Sequence, residues 1–245
     1  MDDRTYVVTG ASRGIGRAIA EELGSRDANV AVNYRSAEGK AVETVEAVEA
    51  AGGAAMTARA DVSDAGAVDA MAERVHAEFG PVDVLVNNAG ITRDRKIADM
   101  DRSDWETVID VNLTGAFTTT KTFFADLKSA DEGRLINISS VIGRRGNYGQ
   151  ANYAAAKSGL FGFTRSLALE LAPADSTANV VAPGYTKTEM IRDVREDIKD
   201  RISEGIPLDR FAEIEEIAAV VRFLASEDAS YVTGEVIDAN GGMAP

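Results

Sequence analysis

The sequence predicts an α/β protein built as a doubly wound, mainly parallel sheet with helices on both faces. Short β-branched runs alternate with segments of helical period along the whole chain. The runs are apolar throughout, as expected of strands buried between two helical layers. No Pro/Gly/Ser-rich linker, repeat or low-complexity tract divides the 245 residues. A chain of that length is ordinary for one α/β domain, so a single domain over 1–245 is expected.

The elements follow in order. TYVVT (5–9) reads as the opening strand, and the loop TGASRGIG (9–16) leads into a helix whose apolar face carries Ile15, Ala18, Ile19 and Leu23. NVAVN (29–33) is the next strand, followed by Val42, Val45 and Val48 on a second apolar helical face. VDVLVNN (82–88) is again strand-like. SDWE (103–106) has the Ser-x-x-Glu form of a capping box and is expected to open a long helix toward Lys128. RLINIS (134–139) precedes the alanine-rich segment YAAAKSG (153–159), which favours a helix. TANVVA (177–182) and VTGEVIDA (232–239) complete the strand-like runs.

Composition excludes several classes of function. No apolar run approaches the roughly 18 residues of a membrane span, and MDDRTYVV lacks a signal-peptide pattern, so a cytoplasmic protein is expected. The absence of cysteine rules out disulfides, a thiol nucleophile and thiolate-bound zinc. The only histidine, His76, lies in the polar stretch ERVHAEFG and reads as a surface residue, and no metal site is expected. Forty acids against 26 bases give a net charge of −14, and only 7 of the bases are lysines. Nucleic acid and anionic membranes are therefore poor partners. The acids are scattered through EELGSRD, VETVEAVEA, DMDRSDWE and EIEEIA rather than gathered in one block. That pattern suggests a surface adapted to high salt, which screens the self-repulsion.

In doubly wound sheets, ligands bind beyond the carboxyl ends of the strands, so the loops there carry the chemistry. TGASRGIG places glycines where the backbone must turn sharply and come close to a diphosphate, just before a helix N-terminus. Its spacing is G-x3-G-x-G, and its context between a strand and an amphipathic helix supports dinucleotide binding. The second strand ends in Tyr34 and Arg35 where an NAD enzyme would offer a carboxylate to the ribose. Arg35 with Arg13 could instead clamp a 2′-phosphate, which predicts NADP(H). In YAAAK, Tyr153 and Lys157 are four apart and share one helical face. An ammonium beside a phenol lowers the phenol's pKa, so the pair is suited to proton transfer.

TGASRGIG, NNAG (87–90), Asn112, ISS ending at Ser140, YAAAK and Pro183-Gly184 together resemble the classical short-chain dehydrogenases/reductases, and the resemblance runs to the terminal NGGM. It implies a Rossmann-type fold with a seven-stranded sheet. The cofactor half would cover about 1–135 and the substrate-binding elements about 136–245. It also implies a catalytic tetrad. Tyr153 would be the general acid. Lys157 would lower its pKa and bind the nicotinamide ribose. Ser140 would hold the carbonyl oxygen, and Asn112 a water leading from Lys157 to solvent. Cofactor contacts implied are Gly10, Ser12, Arg13, Gly14, Ile15, Gly16, Tyr34, Arg35, Asp61, Val62, Asn88, Ala89, Gly90, Tyr153, Lys157, Pro183, Gly184, Thr186 and Thr188. A homotetramer is the implied assembly.

Within the family, GQANYAAAKSGL, VAPGYTKTEM and FLASEDASYVTGEVIDANGGM resemble 3-oxoacyl-[acyl-carrier-protein] reductases. ITRD (91–94), SDWETVIDVNLT and the tyrosine of PGY lean toward acetoacetyl-CoA reductases of polyhydroxyalkanoate synthesis. That likeness makes Asp94, Ser140, Gln150 and Tyr185 candidates for binding the acyl thioester. Carrier-protein reductases of this kind place arginines where this chain has Asp131 and Glu132, and Ala174 and Asp175. Acyl carrier protein is acidic and docks on basic surface, so it is expected to be an unlikely partner here. Acetoacetyl-CoA is the favoured substrate, with carrier-protein reduction and a non-catalytic NADP-binding regulatory protein as the alternatives. Arg93, Arg95 and Lys96, or Arg144 and Arg145, could meet the phosphates of CoA.

Overall fold

In a computed structural model of the chain, residues 4–24, 28–188 and 195–244 are described. Asp27 of EELGSRD, the opening MDD, and Glu189 and Met190 of VAPGYTKTEM lie outside them. The elements are β1 (Thr5–Val8), α1 (Gly14–Leu23), β2 (Asn29–Tyr34), α2 (Glu38–Ala50), β3 (Ala54–Arg59), α3 (Ala65–Phe79) and β4 (Val84–Asn87). There follow α4 (Arg102–Ile109), a π-helical turn (Asp110–Thr114), α5 (Gly115–Ser129), β5 (Arg134–Ile138), α6 (Val141–Arg145) and α7 (Ala151–Leu171). The chain then runs through β6 (Thr177–Pro183), α8 (Glu196–Ser203), α9 (Ile214–Ala225) and β7 (Val236–Ala239).

All seven strands pair in parallel in the order β3-β2-β1-β4-β5-β6-β7, the Rossmann-type doubly wound topology. The order reverses between β1 and β4, so the loops leaving these two strands open a crevice between them. Strand side chains alternate between two cores. Tyr6, Val8, Val84, Val86, Ile136 and Ile138 face α1 and α9 with Ile19, Leu23, Val221 and Leu224. Val7, Leu85 and Leu135 face the opposite layer, with Met71, Phe123, Leu127, Leu167 and Leu171 from α3, α5 and α7. Truncating a fully buried side chain such as Phe123 to alanine is worth ~3–5 kcal/mol, so either core is essential to the sheet.

Three features depart from the sequence reading. The strand β3, AAMTAR, is absent from the β-branched runs. It is alanine-rich, and its pairing with β2 along six residues supplies what its propensity lacks. SDWE is not the cap of α4. Asp101 is the N-cap and accepts from Asp104 N at 2.8 Å, while the Ser103 hydroxyl donates to the same Asp101 carboxylate. A carboxylate two residues earlier takes the capping position because it satisfies the orphan N–H more strongly than a serine would. The long helix toward Lys128 is real in extent but broken in register by the π-turn at 110–114.

Candidate active site

The crevice is held open by a set of polar side chains at the ends of β1, β2 and β4. Gly10 has φ 63°, and a Cβ there would lie 2.9 Å from Ala89 Cα, so only glycine lets the two loops meet. Asn88 Nδ2 donates to Thr9 O and Gly10 O, while Thr9 Oγ1 accepts from Asn88 N and Ala89 N. Gly16 sits against the same Asn88 amide and Gly10 carbonyl. Asn33 accepts from Gly10 N and donates to Ala58 O and Ala60 O, tying the glycine loop to β3. Neither Thr9 nor Asn33 stands out in the sequence. A short polar side chain inside an apolar strand is the available signal.

Beyond that tie, Ser12 is buried and Ile15 packs on the core behind the loop. Arg13 occupies the N-cap of α1 with no side-chain cap, which leaves the first N–H groups of the helix for an outside acceptor. The open face of Gly14 (φ 57°) looks toward Thr188 Cγ2, 3.8 Å from where a Cβ would stand. Thr186 is buried beside Gly184, whose carbonyl accepts from its hydroxyl, and Pro183 and Gly184 pack against Asn240 and β7. The uncapped N–H groups lie on one side of Gly14 and Thr188 on the other, a set of donors of the kind a diphosphate requires.

At the end of β2, Tyr34 is buried in the core and its carbonyl accepts from Ala60 N. Burial, with Glu38 adding to it, holds the phenol above its ordinary pKa. Arg35 is exposed, with Nη1 3.8 Å from Asp61 Oδ2. Partial burial works to raise the Asp61 carboxyl, but hydrogen bonds from Ser63 and the nearby Arg35 hold it below the usual carboxylate range. Val62 is buried and packs flush against Gly115. The structure thus assembles Arg35, Asp61 and Val62 on one wall and turns the Tyr34 ring away into the core.

Tyr153 and Lys157 lie on one face of α7, with the ammonium 5.7 Å from the centre of the tyrosine ring. Lys157 is buried and donates to Ile138 O at 2.8 Å. Burial pushes its ammonium down to about 8. Tyr153 is pushed up, chiefly by burial, with a hydrogen bond to Ser140 opposing and the Asp94 charge adding to the rise. This reverses the expected direction. The ammonium stands 5.7 Å from the centre of the ring, and the cost of burying a phenolate prevails over it. Ser140 is the N-cap of α6 and accepts from Ile142 N at 3.1 Å, leaving its own proton to donate.

Asn112 stands on the π-turn. Its amide donates to Ile91 O and Val108 O, and its buried Oδ1 has no partner among the described residues. A buried, unpaired acceptor is costly, and π-turns concentrate at functional sites. A Cβ on Gly90 would lie 2.6 Å from that oxygen and 3.4 Å from Lys157 Nζ, so both atoms converge on the space above Gly90. Asn152 anchors the start of α7 by donating to Arg93 O and Asp104 O and accepting from Tyr153 N. Buried and flanked by the tyrosine, it gave no sign in the sequence beyond its place.

Two of the candidate substrate residues, Asp94 and Gln150, are in direct contact. Gln150 Nε2 donates to Asp94 Oδ1 at 2.9 Å, and Arg95 N donates to Gly149 O. Tyr185 packs on Phe211, 6.0 Å between ring centres. Of the basic residues at the mouth, Arg93 and Arg95 face Asp104, and Lys96 lies over the ring of the exposed Tyr148. Arg144 is bound to Asp238, and Arg145 is exposed. His76 is remote from the site, paired with Asp126 and edge-on to Phe123. No helix of the described residues is long and apolar enough to cross a membrane, and no group of three potential metal ligands occurs among them.

A family model described as Enoyl-(Acyl carrier protein) reductase matches residues 10–244. Among similar proteins is the 3-oxoacyl-[acyl-carrier-protein] reductase FabG of Staphylococcus epidermidis, 44% identical over 241 residues, 98% of this chain and 99% of that protein. The protein of the same name from Staphylococcus aureus is 45% identical over 240 residues, 98% of each chain. That of Escherichia coli is 45% identical over 243 residues, 99% of this chain and 98% of that protein.

Proposed function

The chain belongs to the short-chain dehydrogenase/reductase family and is an oxidoreductase of keto and hydroxyl groups, and from that premise we propose that it reduces the keto group of a short 3-oxoacyl thioester with NADPH. The observation that carries the chemistry is the convergence of Tyr153, Lys157 and Ser140 at the carboxyl end of β5. NADPH, when bound, supplies the hydride to the keto carbon. Ser140 donates its proton to the keto oxygen as a hydrogen bond, holding it where negative charge develops. Tyr153, kept protonated by burial, gives its proton to that oxygen. Lys157 keeps a positive charge beneath the tyrosine, and the unpaired Asn112 oxygen accepts from the water through which the proton is restored. Arg13 and Arg35 would meet the cofactor's 2′-phosphate, Asp61 and Val62 its adenine, and Gly10, Gly14, Ile15 and Gly16 its diphosphate. Asn88, Ala89 and Gly90, with Thr186 and Thr188, would floor the nicotinamide side.

The names of the relatives favour acyl-carrier-protein thioesters, so the expectation that carrier protein is an unlikely partner lacks their support. Their likeness over the whole chain supports a 3-oxoacyl-[acyl-carrier-protein] reductase. One observation favours a second reading, acetoacetyl-CoA reduction to the (R)-3-hydroxy ester for polyhydroxyalkanoate synthesis. Asp131 and Asp175 are exposed where a basic docking patch would be expected. A homotetramer is supported by the exposed Trp105 and Phe117 on α4 and α5 and Leu169 on α7, large apolar side chains that an assembly would cover.

NADPH oxidation at 340 nm, with acetoacetyl-carrier protein and acetoacetyl-CoA side by side in molar KCl, separates the two. Turnover preferring the carrier protein supports the first reading. Turnover of the CoA ester alone establishes the second. Full activity in Tyr153→Phe would refute the mechanism common to both.

A further inference from the structure

The catalytic serine hangs on a very short helix. α6 has five residues, too few for its own hydrogen bonds to hold it. Its direction, and with it the position of Ser140 at its N-cap, is set by what grips it from outside. On one side the grip is α7. Ser139 Oγ donates to Lys157 O at 2.8 Å, and Ser158 Oγ donates to Gly143 O at 2.6 Å. Gly143 lies against the Lys157 backbone, where a Cβ would approach its carbonyl carbon to 2.9 Å.

On the other side Val141 and Ile142 are buried, and one α6 side chain makes directional bonds. Arg144 reaches from α6 to Asp238 on β7, with Nε 3.2 Å from Oδ1 and Nη2 2.9 Å from Oδ2, 94 residues away in sequence. The guanidinium also lies 5.1 Å from the centre of the Phe161 ring on α7. Both residues are at the surface, with the Arg144 side chain 35% and the Asp238 side chain 24% exposed. A two-bond fork fixes orientation as well as distance, and stacking removes further freedom. One side chain therefore joins α6, α7 and β7, and it is committed to that junction rather than free to meet a substrate phosphate.

We propose that the Arg144–Asp238 pair is a positioning brace that sets Ser140 against Tyr153, so that β7 controls the geometry of the reaction. The inference rests on the ketone-reductase reading above. It is tested by kinetics of Arg144→Gln, Asp238→Asn, the double variant and the exchanged pair Arg144→Asp/Asp238→Arg, each checked for folding by circular dichroism and for NADPH affinity by fluorescence.

Each single variant should lose roughly five- to twentyfold in kcat, with KM for the thioester within twofold and NADPH affinity unchanged. The double variant should lose no more than a single one, and the exchanged pair should recover part of kcat. Should one variant fail to fold, the other single variant carries the same expectation. Additive losses, a fall in melting temperature with kcat intact, or an effect on KM alone would overturn the brace, the last by making Arg144 a substrate contact. Parent enzyme run in the same assay separates the two failures: an idle parent refutes the functional reading and the brace with it, whereas variants as fast as an active parent refute the brace alone.

Discussion

The Lys157 ammonium donates to the Ile138 carbonyl oxygen at 2.8 Å, so a buried cation joins the active-site helix to the last residue of β5. Burial, not pairing, dominates this lysine and brings its pKa from 10.5 to about 8. Between those two pH values the unfolded chain holds a proton that the folded chain has released. Stability should therefore rise with pH across that window and be lowest, as far as this group is concerned, below about 8. Lys157→Met should abolish the rise, fold at least as stably as the parent at neutral pH, and lose ~100-fold or more in kcat. Urea unfolding from pH 7 to 10.5 checks the first part and steady-state kinetics the second. A parent whose stability is flat across that range would show that Lys157 is not depressed.

The same group shapes activity. In the free enzyme, Tyr153 is held protonated well into alkaline pH while Lys157 loses its charge near 8. kcat/KM for reduction should accordingly fall above about pH 8 rather than near 10, following the lysine and not the tyrosine. A decline that begins only near 10 would place control elsewhere.

Cofactor choice should follow Arg35. Exposed and 3.8 Å from Asp61, it is the one side chain at the end of β2 both charged and turned outward, because the Tyr34 ring is in the core. Arg35→Asp should raise KM for NADPH ~10- to 100-fold, the worth of a charge-assisted pair, and change KM for NADH little. An unchanged ratio would remove Arg35 from the phosphate site.

Much of this organisation could be read from residue patterns, and what escaped has a physical cause. Strands such as VDVLVNN and RLINIS announce themselves because both faces are buried and both are apolar. β3 did not, because its alanines pair by virtue of β2 beside it. Tyr153 and Lys157 were found by helical spacing, yet the direction of the tyrosine's pKa shift was not, since burial is a property of the whole fold. The break at Asp110–Thr114 leaves no mark in DVNLT itself, and the partner of Arg144, Asp238, lies 94 residues away in sequence.

The surface charge gives a test independent of catalysis. Arginines such as Arg17, Arg210 and Arg222 are paired with glutamates, so the excess acids repel one another across the exterior. Raising KCl from low to molar concentration should increase the melting temperature by screening that repulsion, at a net charge of −14. A protein indifferent to salt would contradict the salt-adapted reading.

Gly90 offers the sharpest test of the proton path. It is exposed at the crevice, yet an added Cβ would stand 2.6 Å from the unpaired Asn112 oxygen and 3.4 Å from Lys157 Nζ. Alanine there must push the asparagine away or occupy the space where its water would sit. Gly90→Ala should therefore lower kcat ~10-fold or more while the fold survives, since the collision is with the site and not with the core. Gly39→Ala is the matched control: it lies in α2 with nothing within 4 Å of the new methyl group, and should keep full activity with a gain of up to ~1 kcal/mol. If Gly90→Ala turns over like the parent, Asn112 and Lys157 do not meet through that space, and the route by which Tyr153 regains its proton must lie elsewhere.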